Sequence, residues 1–297
     1  MKPKIGVLGL GNMGAGMAST LVKKGYDVKG FDLSTIACEK AVAAGVSIAD
    51  SAPDLFACVD LLILSLPKAE HVEAVCLNSD GILQHGKKGL IVLDTTTSTS
   101  ETSRKMQAML TENQISFVDA PVSGGPAGAR SGTMTMVVGA SDALWEILLP
   151  VLQDMSATQV HVGECGAGNV VKIANNFLAA AHLITTAEAV SMAAKMGVTP
   201  ESLLDGINAG SGRSAVSQVS FPKWVLNKTY NSGFTMGLMR KDVGLATAMT
   251  AGLELDYPML ELVQNLWKNS VETLPDAEDF NAIVMRTDGQ LFAKGDL

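Results

Sequence analysis

The sequence is poor in cysteine, in basic side chains and in long unbroken apolar runs, and each shortage excludes a class of protein. Its four cysteines (Cys38, Cys58, Cys76 and Cys165) form no CxxC pair. A structural zinc site or a disulfide framework is therefore not expected, and the reduced thiols of a cytoplasmic protein are. Lys and Arg number 22 against 30 Asp and Glu, for a net charge of -8. With no Lys/Arg-rich tract there is no footprint for a DNA or RNA backbone, and the expected partner is a small molecule. No run of ~18 unbroken apolar residues occurs, so no membrane-spanning helix is expected. The apolar run after Met1-Lys2-Pro3-Lys4 imitates a secretory signal, but Gly6, Gly9, Gly11, Asn12 and Gly14 interrupt it.

What is present is apolar bulk: 47% of residues are hydrophobic and 18% charged. That composition excludes a largely disordered chain. A length of 297 residues suits two domains of the usual ~100–200 residues. The first part alternates short apolar runs with helical patterns. Strand candidates are Lys4–Leu10, Val28–Asp32, Asp60–Leu66, Leu90–Asp94, Ser116–Asp119 and Met134–Gly139, with helices expected over Gly14–Lys24 and Ser34–Ala44. Continuously apolar strands alternating with helices predict a doubly wound α/β domain, a mostly parallel sheet covered on both faces. From Gly168 to Met196 there is no Pro and no strand-like alternation. A helix of ~28 residues there would span ~42 Å, long enough to join two domains. The rest of the chain is mostly helical in pattern, broken at Gly210–Gly212, Tyr230–Gly233 and Pro275. Glycines cluster at Val162–Gly166, which sets the expected domains at residues 1–164 and 165–297.

Gly9-Leu10-Gly11-Asn12-Met13-Gly14 is a GxGxxG between an expected strand and an expected helix. In a dinucleotide site Gly9 permits the tight turn, Gly11 lets backbone approach the pyrophosphate, and Gly14 lets helix and strand pack closely. The N–H groups at the helix start then face an anion. Asp32 comes 18 residues after Gly14, near the ~20 expected of the acid that binds the ribose hydroxyls. No Arg stands among the five residues after Asp32, so NAD is favoured over NADP. Asp32 also suits capping of the helix that starts near Ser34, and the two roles are compatible.

Two further segments carry candidate chemistry. In Asp119-Ala120-Pro121-Val122-Ser123-Gly124-Gly125-Pro126 a hydroxyl sits beside glycine backbone N–H groups that can hold a carboxylate. A plain Gly/Pro turn reads the same way. Lys172 and Asn176 are four apart near the start of the long helix and so share one face. By spacing alone both read as ordinary surface residues.

These segments together resemble the β-hydroxyacid dehydrogenase family. GLGNMG at 9–14, preceded by its strand, DAPVSGG at 119–125 with GTMTMVVGA at 132–140, GAGNVVKIANN at 166–176 and RKDVGLA at 240–246 stand in the family's order. The resemblance covers essentially the whole chain. It implies an N-terminal Rossmann domain, an all-helical C-terminal domain and an active site in the cleft between them. It assigns Lys172 as the catalytic lysine, Asn176 as its substrate-orienting neighbour, and Ser123, Gly124 and Gly125 as the substrate carboxylate cradle. Leu66, Pro67, Thr96 and Thr97 would line the nicotinamide side. Lys241 would contact substrate or cofactor, with Asp242 holding Lys241 or the interdomain packing. Ala140 and Asn281 depart from the family's usual Gly and Ser, which leaves the subfamily open.

The implied reaction moves a hydride from a carbinol carbon to the nicotinamide while Lys172 takes the hydroxyl proton. An ordinary lysine has a pKa of ~10.4, so a base role near neutrality needs a depressed value; burial and a cationic ring both push that way. The segment 123–135 resembles 3-hydroxyisobutyrate dehydrogenases. Ser211-Gly212-Arg213-Ser214 instead resembles 2-(hydroxymethyl)glutarate enzymes, where Arg213 would pair with a second carboxylate; a solvated loop residue is the competing reading. L-Threonate and tartronate semialdehyde remain alternatives. The reading from another class is a non-catalytic dinucleotide-binding scaffold, which the presence of Lys172 beside Asn176 disfavours. An apolar helical second domain leads to the expectation of a homodimer or homotetramer.

Overall fold

The computed structural model describes residues 2–251, 253 and 256–294. The chain divides into two compact units, Met1–Lys172 and Ile173–Leu297. In the first unit the strands are β1 (Ile5–Leu8), β2 (Val28–Phe31), β3 (Ser47–Ile48), β4 (Leu61–Leu64), β5 (Ile91–Asp94), β6 (Ser116–Asp119), β7 (Val122–Ser123), β8 (Met134–Gly139) and β9 (Ser156–Gly163). Between them run α1 (Asn12–Lys23), α2 (Thr35–Ala43), α3 (Ala52–Cys58), α4 (Ala69–Leu77), α5 (Ile82–His85), α6 (Ser100–Thr111), α7 (Gly125–Ser131) and α8 (Asp142–Met155).

The strands form one sheet in the order β3-β2-β1-β4-β5-β6-β8-β7, with β9 off this path and paired to β8. From β3 to β6 all pairings are parallel; β8 runs antiparallel to β6 and β7 and parallel to β9. Alternation decides which face each residue covers. Ile5, Val7, Leu61 and Ile63 pack with Met17 and Leu21 of α1, while Leu8, Leu62 and Leu64 pack with Leu55, Phe56 and Val72 of α3 and α4. All four residues of β1 and of β4 are buried, as a sheet covered by helices on both faces requires. The expected doubly wound sheet is therefore observed. Chain order reverses between β1 and β4, and in such sheets ligands bind outside the strand carboxyl ends at that point.

Strands β3, β7 and β9 have no counterpart among the sequence candidates. Two of them hold only two residues, and the partly exposed β9 lacks a continuous apolar run.

The long helix α9 (Ala167–Lys195) starts in the first unit and continues into the second. The units divide after Lys172, later than the 164/165 boundary expected from composition. The cause is local: the first turns of α9 bond to the sheet of the first unit, as described below. Helices α10 (Pro200–Ala209), α11 (Met236–Thr250) and α12 (Pro258–Asn269) follow, with a wide π-type helix at Val216–Val225. Ala180, Leu183, Ala187 and Val190 of α9 share a core with Phe221, Val243, Trp267 and Phe292. By length and composition α9 could cross a membrane; its place in this core accounts for the same apolar content.

Candidate active site

At the switch point, β1 ends in the glycine turn, and each glycine there has its own physical reason. Gly9 has φ +92°, and a Cβ on it would lie 2.3 Å from the Ser65 carbonyl oxygen. A Cβ on Gly14 would lie 1.8 Å from the Gly9 carbonyl oxygen, so α1 rests directly on the turn. A Cβ on Gly11 would meet no atom of the described residues within 4 Å beyond its own chain neighbours and helix. The helix behind it has no side-chain cap and no acidic residue in its first turn, so its first N–H groups remain available to an anion. Met13 turns its side chain into the core and leaves only backbone to the turn. A groove of about 250 Å³ lies alongside, lined by Leu10, Gly11, Asn12, Ser34, Lys40 and Arg130 among others.

Asp32 braces this turn. Its Oδ2 accepts from the Leu10 N–H at 2.7 Å and its Oδ1 from the Ser34 N–H at 2.8 Å. A carboxylate has about four acceptor positions, so capacity remains for ribose hydroxyls. Helix α2 is capped by Ser34, whose Oγ accepts from the Ala37 N–H, so Asp32 does not cap that helix itself. These features fit NAD: an open backbone over Gly11, an uncapped helix start and a placed carboxylate. Sequence reasoning missed Lys40 and Arg130 in the groove. Neither stands next to Asp32 in sequence: Lys40 lies further along α2 and Arg130 comes from α7.

The ends of β4 and β5 are stitched together. The Leu66 N–H donates to Thr96 Oγ1 at 3.1 Å, Thr95 Oγ1 donates to the Leu64 carbonyl at 2.6 Å, and Asp94 Oδ1 accepts from the Thr96 N–H at 2.9 Å. Thr96 is buried, Leu66 and Thr97 are half-buried, and Pro67 is exposed. A rim braced by these bonds is compatible with the nicotinamide-side role that the resemblance implies.

The next rim segment carries the hydroxyl. Ser123 ends β7, and Gly124 (φ +117°) and Gly125 (φ +63°) turn the chain into α7 through two left-handed positions. Lys172 is 7% exposed, and its Nζ donates to Ser123 Oγ at 3.0 Å. Spacing alone had made Lys172 a surface residue; it is buried instead. Because Ser123 Oγ accepts from lysine, its own O–H is free to donate to a substrate oxygen. Gly124→Val should raise the substrate KM and leave NAD affinity within about threefold, besides costing about 1–2 kcal/mol for the left-handed backbone. A collapse of NAD binding, measured by fluorescence titration, would place this loop on the cofactor instead.

Asp119 is a site residue that sequence reasoning missed. It is fully buried at the end of β6, and its Oδ1 and Oδ2 accept from the Gly166 and Asn169 N–H groups at 2.6 and 2.7 Å. Burial pushes its pKa up, while the two backbone N–H groups oppose that shift. Burial likewise raises the Cys165 thiol beside it, with the Asp119 charge adding to the effect.

In the second unit, Asn176 Nδ2 donates to Asp242 Oδ2 at 2.5 Å, and Lys241 Nζ lies 3.2 Å from Asp242 Oδ1. Asp242 is 1% exposed, so this buried carboxylate holds both side chains that the resemblance singled out. Arg213 belongs to neither group: it is exposed, and its Nη1 donates to the Gly210 carbonyl at 3.4 Å.

Comparison with known proteins finds two family models in this same order, meeting at residues 163–166. Residues 4–163 match the NAD binding domain of 6-phosphogluconate dehydrogenase, and residues 166–287 match the family described as NAD-binding of NADP-dependent 3-hydroxyisobutyrate dehydrogenase. The chain is 36% identical to 2-(hydroxymethyl)glutarate dehydrogenase of Eubacterium barkeri, over 95% of this chain and 93% of the relative. It is also 36% identical to NAD-dependent L-serine dehydrogenase of Pseudomonas aeruginosa, over 94% and 96%. Among solved structures, 3-hydroxyisobutyrate dehydrogenase of Mycobacterium tuberculosis, determined with L-serine, superposes with a TM-score of 0.90 at 31% identity, covering 97% of this chain and 100% of that one.

Proposed function

The chain belongs to the β-hydroxyacid dehydrogenase family of NAD-dependent oxidoreductases, and on that premise we propose that it interconverts a 3-hydroxyisobutyrate-like β-hydroxy acid and its aldehyde, with Lys172 as the acid–base group. The observation that carries this reading is the buried Lys172 Nζ at 3.0 Å from Ser123 Oγ. Bound NAD supplies the hydride acceptor in oxidation and, reduced, the donor in the reverse direction. Lys172 as the amine takes the hydroxyl proton at Nζ during oxidation, and as the ammonium returns it during reduction. The Ser123 hydroxyl and the backbone of Gly124 and Gly125 hold the substrate carboxylate, which fixes the carbinol carbon before the proton moves. Asn176 is the substrate-orienting neighbour of Lys172 implied by the resemblance, and Asp242 holds both it and Lys241.

L-Serine and 3-hydroxyisobutyrate are both propanoic acids with a hydroxyl on the β carbon, differing in an amino or a methyl group on the α carbon. Their appearance among the relatives' names supports a small monocarboxylic substrate. The second reading, a dicarboxylic 2-(hydroxymethyl)glutarate-type substrate, rests on Arg213 and on the 36% identical relative. A panel of 3-hydroxyisobutyrate, L-serine, 2-(hydroxymethyl)glutarate, L-threonate and glycerate, each with NAD and NADP, tests the choice by nicotinamide absorbance. Expected is the highest kcat/KM with 3-hydroxyisobutyrate and NAD; a dicarboxylic acid as best substrate would overturn the first reading.

Exposure limits what Arg213 can contribute, since exposed charge pairs are worth ~0.2–1 kcal/mol. Arg213→Ala should therefore lower kcat/KM for the dicarboxylic acid by at most about fivefold and leave 3-hydroxyisobutyrate unchanged. Equal losses for both would return Arg213 to a loop-stabilising role. The four free thiols support a reducing, cytoplasmic setting. Exposed Met259, Leu262 and Leu266, spaced as one stripe along α12, support a homo-oligomer, which light scattering at several concentrations tests.

A further inference from the structure

The start of α9 is a helix N-terminus without a residue of its own to cap it. Gly166 precedes Ala167, has φ +95°, and has no side chain to offer. Four N–H groups at a helix start need outside partners, and a buried start left without them is costly. Here the partner comes from a distant strand: Asp119 accepts from the N–H groups of Gly166 and Asn169. Space for that carboxylate exists only because its neighbours lack side chains. A Cβ on Gly139 would lie 2.4 Å from Asp119 Oδ1, and one on Gly168 would lie 2.9 Å from Oδ2. A longer carboxylate has no room.

Asn169 continues the bracket. Its Oδ1 accepts from the Ser98 N–H at 2.9 Å, and its Nδ2 donates to Ser103 Oγ at 3.1 Å. Both Asn169 and Ser98 are fully buried. One arm of the bracket thus ties α9 to β6, four residues before Ser123. The other ties it to the segment that follows Thr96 and Thr97. Lys172 stands three residues after Asn169 on the same helix, so its main-chain position is set by both arms.

We infer that Asp119 and Asn169 are positioning residues for proton transfer: they fix the first turn of α9 so that Lys172 Nζ meets Ser123 Oγ, in register with the nicotinamide rim. The inference rests on the assignment of Lys172 as the acid–base group. Asp119 touches no reacting atom and acts only through the helix it caps. Its negative charge also complements the N-terminal dipole end of α9.

The test is a double-mutant cycle on the full chain. Asp119→Asn keeps one acceptor but sets an amide N–H against a backbone N–H, which releases one arm. Asn169→Ala keeps its backbone N–H on Asp119 and releases Ser98 and Ser103. With 3-hydroxyisobutyrate and NAD, each should lower kcat about 10–100-fold, the scale of a displacement near 1 Å. Substrate KM and the NAD dissociation constant should change less than about threefold, the signature of an interaction that matters in the transition state. In a Lys172→Ala background neither should slow turnover further, because the group being positioned is gone. Losses that multiply on that background, or a fall in melting temperature with kcat per folded site unchanged, would overturn the inference and leave both residues as structural caps. If Asp119→Asn does not fold, Asn169→Ala carries the same cycle alone. Near-normal turnover by Lys172→Ala itself would instead overturn the acid–base assignment, so the two failures are distinguishable.

Discussion

Replacing Lys172 by Ala should lower kcat for hydroxy acid oxidation by about 10²–10⁴, the range for loss of a positioned acid–base group. The hydroxyl proton then loses its assigned acceptor, and the neighbouring Ser123 hydroxyl is a poor base near neutrality. Lys172 lies outside the glycine turn assigned to the dinucleotide, so NAD affinity should stay within about threefold of the parent, a difference under 1 kcal/mol. Lys172→Met, which preserves most of the buried stem, should lose as much activity as Lys172→Ala while folding as the parent does. Lys172→Arg should rescue little, because a guanidinium does not give up its proton. Turnover by any of the three above about a tenth of the parent rate would remove Lys172 from the mechanism.

The second large effect separates two glycines of one motif. Gly14→Ala places a Cβ where the Gly9 carbonyl oxygen stands 1.8 Å away. Backbone must move, and a loss of roughly 1–3 kcal/mol of stability is expected, with NAD binding lost alongside. Gly11 differs: its φ is −64°, a value any residue adopts, and a Cβ there would meet no atom of the described residues within 4 Å beyond its own chain neighbours and helix. Gly11→Val should therefore fold with an unchanged melting temperature yet weaken NAD roughly tenfold or more, about 1.4 kcal/mol, because its side chain fills the approach to the pyrophosphate. A Gly11→Val protein that binds NAD normally would move the cofactor away from this turn.

The contrast shows what kind of information a sequence carries. The glycine turn and Asp32 were legible because their constraints are local: a sharp turn, a close helix and an acid at a fixed distance. The parallel strands were legible because their burial makes them continuously apolar. Lys172 was not legible from spacing, since a lysine on an apolar helix looks solvated until the sheet that buries it is known. The family resemblance supplied it. Asp119 was visible only as a strand end, for its two partners come 47 and 50 residues later. Arg130 reaches the cofactor groove from α7, and no local pattern announces that. The 164/165 boundary follows the glycine cluster, and the bonds of Gly166 and Asn169 to Asp119 pack the first turns of α9 with the first unit.

The most direct test of proton transfer by Lys172 is single-turnover oxidation of 3-hydroxyisobutyrate across pH, followed by nicotinamide absorbance in the parent and in Lys172→Met with saturating NAD. In the parent the rate constant should rise with pH through a single ionisation, because only the unprotonated amine accepts the hydroxyl proton. In Lys172→Met it should be about 10²–10⁴ lower and flat through the same interval. The same rise at the same pH in both proteins would show that another group takes the proton.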